Sequence, residues 1–389
     1  MLKIFGEHDR DTTTQAENCL AAGAAEFVLC ADGHKGYGFP IGGVGAFPAD
    51  LVSPSGVGFD IGCGNLALET DADAAEVRGR IGPIMDEVWR TISFGMGRKN
   101  KEHVDHPLFD DDAWREVKAL KSLKDLARGQ LGTVGGGNHY VDIFIDERKK
   151  VWVGVHFGSR GLGHKVATHF LQALGSKDDM MAPPAVMATA SSLGSDYLEA
   201  MRVAGDYAHA GREWVAARVV GLLGARATDA VHNHHNYAWK ENHGGTDYWV
   251  IRKGATPAFP GQRGFVGGSM GDDAVILEGV ESTLSAQSLY STVHGAGRVM
   301  SRTAAKGKSR KDPATGKWAR GVGAVRHDDM MRWIADKGVT LRGADLDEAP
   351  QAYRRLPDVL KAHEGTIRVL HTLRPIGVAM ADHDDPYKD

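Results

Sequence analysis

Glycine constrains this chain more than any other residue. It supplies 50 of the 389 residues, well above the usual share of about 7 %, and no Gly-X-Y period organises it. The glycines fall in clusters, and chemistry-bearing side chains sit inside those clusters. "GVGFDIGCGN" (56–65) sets Asp60 and Cys63 three apart, and "GTVGGGNHYVD" (132–142) presents Asn138 and His139. "VHFGSRGLG" (155–163) presents His156, then Ser159 and Arg160. "STVHGAGRVMSR" (291–302) places His294 between a short apolar run and a Gly-Ala-Gly-Arg turn. Backbone without Cβ makes tight loops and lets a ligand approach bare N–H groups. The turn at His294 therefore suits an oxyanion, with Arg298 offering a fork of donors. The plainer alternative is a tight turn with a hydrogen-bonded histidine.

Other features bound the class. A hydrophobic content of 42 % and a charged content of 25 % are those of a soluble globular protein. Three cysteines (Cys19, Cys30 and Cys63) are too few and too odd for a disulfide framework, which favours a reducing compartment. The start "MLKIFGEHDR" is charged too early for a signal peptide, and the longest apolar-leaning run, "CLAAGAAEFVLCA", is too short to span a membrane. A cytoplasmic protein with no membrane partner is expected. The net charge of −4 does not advertise nucleic acid, but eight Lys/Arg against Asp312 alone between 298 and 320 make a local basic loop. Such a run is either a solvated loop or a polyanion contact.

Alternating β-branched runs predict strands at 151–159, 245–255 and 273–280, and apolar residues at helical spacing predict helices at 73–93 and 197–223. A softer stretch at 175–195 reads as loop. Strands and helices do not alternate cleanly, so the expected class is α+β: one large domain over 1–389 with mixed sheets, a helical insertion at about 160–225 and the basic loop at about 298–320.

The clustered residues match the ligand inventory of a transition-metal site. Asp60 and Cys63 can face one ion, or Cys63 can bridge two. "VHNHHNYA" (231–238) adds His232, His234 and His235. The mixed oxygen, nitrogen and sulfur set leaves Mn, Zn, Fe and Co open. Softness favours zinc, and phosphate chemistry favours manganese. A metal site, a histidine in a phosphate-friendly turn and a basic loop together point to chemistry at phosphorus, where a histidine can itself be the nucleophile.

The ordered set "DIGCG", "GGGNH", "H-x-GSRG", "HHNYA", "RKGA", "GSMG" and "HGAGR" resembles the RtcB family of RNA-splicing ligases. "PIGGVGAF" (40–47), "EAPQAY" (348–353) and "LRPIGV" (373–378) extend the resemblance over nearly the whole chain. The resemblance implies a GTP- and Mn2+-dependent RNA ligase, in RNA repair or tRNA splicing. Such an enzyme joins 3′-phosphate or 2′,3′-cyclic phosphate ends to 5′-hydroxyl ends through a covalent histidine–GMP, with the need for an activating protein left open. It implies His294 as the nucleophile and two Mn2+ ions held by Asp60, Cys63, His139, His156 and His235. It also implies Asn138, Asp142, His235, Asn236, Gly268, Ser269, Met270, Gly295, Ala296, Gly297 and Tyr353 around the nucleotide, with Arg160 and Arg298 towards phosphate or RNA. The alternative is a metal-dependent phosphohydrolase acting on RNA ends or cyclic phosphates, which would not need His294 as nucleophile.

The departures cluster at the base end. Asp142 stands where many members have glutamate, Gly267 where they have proline, Ala274 where they have serine, and Met380 where they have lysine. Gly211 replaces a frequent asparagine. These changes predict intact nucleophile chemistry with a weakened or shifted nucleobase preference.

Overall fold

The computed structural model describes residues 1–176, 179–311 and 318–382, without the side chains of 309–311 and 318–320. Apolar and β-branched runs build two mixed sheets. In the first, the order is Leu2–Ile4, Glu26–His34, Ile41–Pro48, Thr246–Lys253, Asn236–His243, with only the first pair parallel. In the second it is Ala227–His234, Gly64–Asp73, Lys150–Phe157, Tyr140–Asp146, Ile367–Met380, Ala274–Gly279, Arg263–Val266, and Thr340–Gly343 joins in parallel beside Ile367–Met380. The expected α+β class is what is observed. The chain passes from the second sheet to the first through one residue, His235, between Ala227–His234 and Asn236–His243.

The predicted strands appear as Lys150–Phe157, Thr246–Lys253 and Ala274–Gly279. Lys150–Phe157 is buried on both faces. Val151, Val153 and Val155 pack with Val215 and Val219, while Trp152 packs with Phe144 and Phe265. That explains its nearly continuous apolar sequence. Each such side chain contributes about 1.5–3 kcal/mol by leaving water.

Helices cover the other side. Ser192–Leu222 begins before the expected 197, because Ser191 caps it by accepting the Gly194 N–H. With Arg160–Ala173 it forms the helical insertion. The helix expected over 73–93 is two, Ala74–Gly79 and Ile81–Thr91, broken at Arg80. Pro83 has no N–H for the Gly79 carbonyl, so the ladder cannot cross that point. The stretch expected as loop at 175–195 holds a two-residue strand, Met187–Ala188, paired with Leu51–Val52; residues 177–178 lie outside the described residues. No helix among the described residues is long and apolar enough to cross a membrane. All three cysteines are free and buried.

Register brings the polar clusters to one end of the second sheet. Gly64, just after Cys63, pairs with Phe157; His156 pairs with Asn65 on one side and with Tyr140, just after His139, on the other. Met380 pairs with Tyr140. Antiparallel order alternates strand starts with strand ends, so four separate loops open at the same edge.

Candidate active site

One cavity of about 830 Å³ opens at that edge. Every candidate residue lines it except Arg160. His294 sits in its wall, following the short strand Ser291–Val293. Its Nδ1–H donates to Asp32 Oδ2 at 2.6 Å, and the same oxygen accepts the backbone N–H of His294 (2.9 Å) and of Gly295 (3.3 Å). Burial works to raise the Asp32 carboxyl, but the His294 imidazole and its hydrogen bonds outweigh that and hold it below its ordinary value. Asp32 thus holds a proton on Nδ1, and in the neutral imidazole Nε2 carries the lone pair. Gly297 (φ 76°) closes the turn; a Cβ there would come within 2.3 Å of the Asp32 carbonyl oxygen.

Next to His294 lies His235, with ring centroids 4.9 Å apart, and then His156, 5.1 Å further. Cys63, His156 and His235 form one group whose ligand atoms lie within 4.8 Å of one another, and Asp60, Cys63 and His139 form a second. Cys63 belongs to both. Asn65 Oδ1 accepts the His156 Nδ1–H at 2.7 Å, and its amide nitrogen donates to the Phe265 carbonyl at 2.9 Å, so the amide cannot turn round. His156 Nε2 is thus left with a lone pair 3.9 Å from Cys63 Sγ. Asn138 Nδ2 stands 3.4 Å from that nitrogen.

The donor set fits divalent cations. His139 Nε2 stands 3.0 Å from Asp60 Oδ2 and 3.7 Å from Cys63 Sγ, while Nδ1 faces the Val134 carbonyl at 3.0 Å. Nδ1 thus lies between the Val134 carbonyl and the Arg160 guanidinium, and Nε2 stands close enough to the Asp60 carboxylate for the two to share a cation. The buried His235 Nδ1 has no partner among the described residues. Burial pushes the His139, His156 and His235 imidazoles below their ordinary value, so they are neutral, as ligands must be. Burial pushes the Cys63 thiol up, with Asp60 adding to it. Burial also works to raise Asp60, but His139 brings it well below the usual carboxylate range.

Behind this floor, the buried Arg212 donates to the carbonyls of Gly62 (2.8 Å) and Phe157 (2.7 Å), each next to a candidate ligand. It also donates to His232 Nε2 at 2.9 Å and stands 3.0 Å from His234 Nδ1. Two of the three clustered histidines thus face the arginine, and His235 alone faces the cavity. Gly211 lets this helix approach, since a Cβ there would lie 3.3 Å from the Phe157 ring.

The base end differs. Asn236 is tied down, accepting the Gly254 N–H (2.7 Å) and donating to the Asp60 carbonyl (3.3 Å). Ser269 Oγ donates to Asp272 at 2.5 Å. Asp142 is buried, and burial holds its carboxyl well above the usual carboxylate range. Its Oδ1 and the Tyr140 hydroxyl have no partner among the described residues. Met380 lines the same space.

Neither arginine assigned to phosphate is idle. Arg160 Nη1 stands 3.0 Å from His139 Nδ1. Arg298 donates to Glu348 (3.2 Å), the Tyr353 hydroxyl (2.8 Å) and the carbonyls of Asp347 (2.7 Å) and Met300 (3.1 Å). Arg302 also pairs with Asp347 and Glu348, and Lys306 lies 3.6 Å from Asp347. These three cations of the basic loop therefore fold onto buried acids. Lys317 lies outside the described residues, as do the side chains of Arg310, Lys311 and Arg320.

Sequence reasoning missed Asp32, Asn65, Arg212 and Lys253. Lys253 Nζ is buried in the cavity wall, donating to the carbonyls of Tyr37 (2.9 Å) and Ser55 (3.0 Å), and burial lowers it to about 8.

Comparison with known proteins gives a family. The model of the tRNA-splicing ligase RtcB family matches residues 15–381. The tRNA-splicing ligase RtcB of Thermococcus kodakarensis is 31 % identical, over 96 % of this chain and 91 % of that protein. The tRNA-splicing ligase RtcB of Archaeoglobus fulgidus is 32 % identical over 97 % and 92 %. The RNA-splicing ligase RtcB of Escherichia coli K12 is 31 % identical over 89 % and 87 %.

Proposed function

Because the chain belongs to the RtcB family of tRNA-splicing ligases, and is by that membership an RNA ligase, we propose that it joins RNA 3′-phosphate or 2′,3′-cyclic phosphate ends to 5′-hydroxyl ends at the expense of GTP. The observation that carries this reading is the Asp32–His294 pair beside the histidine–cysteine floor. Asp32 holds the proton on Nδ1, so Nε2 is the free lone pair. Nε2 attacks the α-phosphorus of GTP, a P–N bond forms, and pyrophosphate leaves with the electron pair of the broken P–O bond. The Asp32 carboxylate offsets the positive charge that the imidazole gains. A 2′,3′-cyclic end is first opened by water, with loss of its P–O2′ bond, and an oxygen of the 3′-phosphate then takes GMP from His294 as the P–N bond breaks. The 5′-hydroxyl attacks the activated phosphate, gives up its proton and releases GMP.

In this reading Asp60, Cys63, His139, His156 and His235 hold two Mn2+ ions, which supply neutralisation of the phosphate oxygens. Phosphate oxygens as co-ligands favour Mn2+ over the zinc that the thiol alone would favour. Asn138, Ser269 and Tyr353 line the space left for the nucleotide.

The test is incubation with α-labelled GTP and Mn2+, then a denaturing gel and acid treatment. An acid-labile, alkali-stable label, absent in His294→Ala, is the expected result. RNA ends hydrolysed with no label at any point would instead make the chain a phosphohydrolase.

A further inference from the structure

The cavity has a second side that the mechanism above does not use. The His294 turn is flanked by Gly267 towards the base end and by Gly254 and Ile41 on the other. Beyond Ile41 three rings stand together: Tyr37 in the loop before the strand Ile41–Pro48, Phe59 next to Asp60, and His164 on the helix Arg160–Ala173. Tyr37 is 53 % exposed and meets Phe59 edge-on, with centroids 6.4 Å apart at 86°. Phe59 is in turn stacked under the exposed His164, with centroids 5.1 Å apart at 26°. Tyr37 and Phe59 line the same cavity as His294. Both are anchored at the backbone. Phe59 precedes the candidate ligand Asp60, and the Tyr37 carbonyl is clamped by the buried Lys253.

We infer that the Tyr37–Phe59–His164 rim is a stacking platform for the terminal nucleobase of the single-stranded RNA end brought to His294. The inference rests on the ligase reading for its substrate class. Two observations favour a base over a phosphate. The Tyr37 ring is half exposed at the cavity rim and makes its ring contact edge-on to Phe59. Charge on this side is balanced, since Lys35 is paired with Asp11 at 2.8 Å and Asp9 stands on the same wall. A base, unlike a phosphate, gains from an uncharged ring whatever its sequence. The platform thus predicts little sequence preference at the end being joined.

The test is fluorescence anisotropy of a labelled single-stranded RNA with a 3′-phosphate, against the same oligonucleotide with an abasic terminal residue. Tyr37→Ala in the full chain should weaken binding of the complete oligonucleotide by about tenfold and leave the abasic one unchanged. Tyr37→Trp should restore binding, and His164→Ala should cause a smaller loss. Equal affinity of Tyr37→Ala and wild type for the complete oligonucleotide would overturn the platform, as would an equal loss on both. Covalent labelling of the wild-type chain by GTP, run alongside, reports on the ligase reading alone. Its absence would sink that reading and leave the binding result to decide the platform.

Discussion

The two ends of the cavity are finished to different degrees. At the floor, His294 and His156 each have a partner that decides where the proton sits, while His235 Nδ1 and Asp32 Oδ1 are unmet among the described residues. Asp32 takes the Nδ1–H of His294, and Asn65 takes that of His156 while its own amide is pinned by Phe265. Arg212 ties the backbone next to Cys63 and His156. At the base end, the Asp142 carboxyl and the Tyr140 hydroxyl are buried with unmet hydrogen-bonding capacity. A buried polar atom left unmet costs about 1–3 kcal/mol. On the proposed reading, the floor is the end arranged for chemistry, and the unmet atoms of Asp142 and Tyr140 face the space left for the base. The departures read from the sequence divide between the two ends: Asp142, Gly267 and Met380 line the base end, and Gly211 packs behind the floor against Phe157.

The sharpest way to break the comparison is Asp32→Asn. The amide oxygen can still accept the three N–H groups that Asp32 Oδ2 now accepts, so the turn should survive while the charge is lost. If the floor is preorganised for nucleophilic attack, the rate of covalent labelling should fall by about 10²-fold or more, with the melting temperature little changed. A rate within threefold of wild type would reduce Asp32 to a brace for the turn.

How far this floor was legible in the sequence follows from the kind of information each residue carries. Asp60, Cys63, His139, His156 and His294 were legible because each lies within two residues of a glycine, in a loop or, for His156, at a strand end, where a polar residue has no packing reason to be. His235 was separable from His232 and His234 only through the family motif. The structure supplies the physical reason, which is the side chain of Arg212, a residue on a helix that reads as ordinary core. Asp32 and Asn65 were illegible as site residues because they lie within strands, and their role depends on what register sets opposite them. The class of fold was legible from patterning, but the sheet order was not, since strands as distant as Tyr140–Asp146 and Ile367–Met380 pair with no local signal. The basic loop misled in one respect: its charge is countered by Asp345, Asp347 and Glu348, some 40 residues on.

A second prediction tests whether neutral imidazoles hold the strand that carries Asp32. His363 Nε2 accepts the Ala31 N–H at 3.2 Å and its ring stacks on Phe5, while His34 Nδ1 lies 3.0 Å from the Asp32 carbonyl. Burial lowers both to about 4. The unfolded chain protonates these residues near pH 6.5, and the folded chain does so only near 4. Between those values the unfolded state binds more protons, so stability falls as pH falls through the window. The pair should contribute a loss of about 2 kcal/mol between pH 6 and pH 5. Urea unfolding at a series of pH values measures it. His363→Gln should flatten part of the slope, and a slope the same in wild type and variant would show that His363 is already protonated in the fold.

The smallest effect is expected at the base end, from Asp142→Asn. Asp142 lies two positions along the ladder from Met380, which pairs with Tyr140 while Val378 pairs with Asp142. A thioether there gives the acid no cation, and burial pushes its carboxyl well above the usual carboxylate range, towards the neutral form. A neutral acid presents one donor and one acceptor to a base edge, and an amide presents the same functions differently arranged. Replacement should therefore leave stability within about 0.5 kcal/mol while changing the ratio of labelling by GTP and by ATP by about tenfold. A wild-type chain that already labels with GTP exclusively, together with an unchanged ratio in Asp142→Asn, would mean that the base is read elsewhere. The unmet oxygen of Asp142 would then be a tolerated cost of the fold, and the contrast between the two ends would be one of packing rather than of specificity.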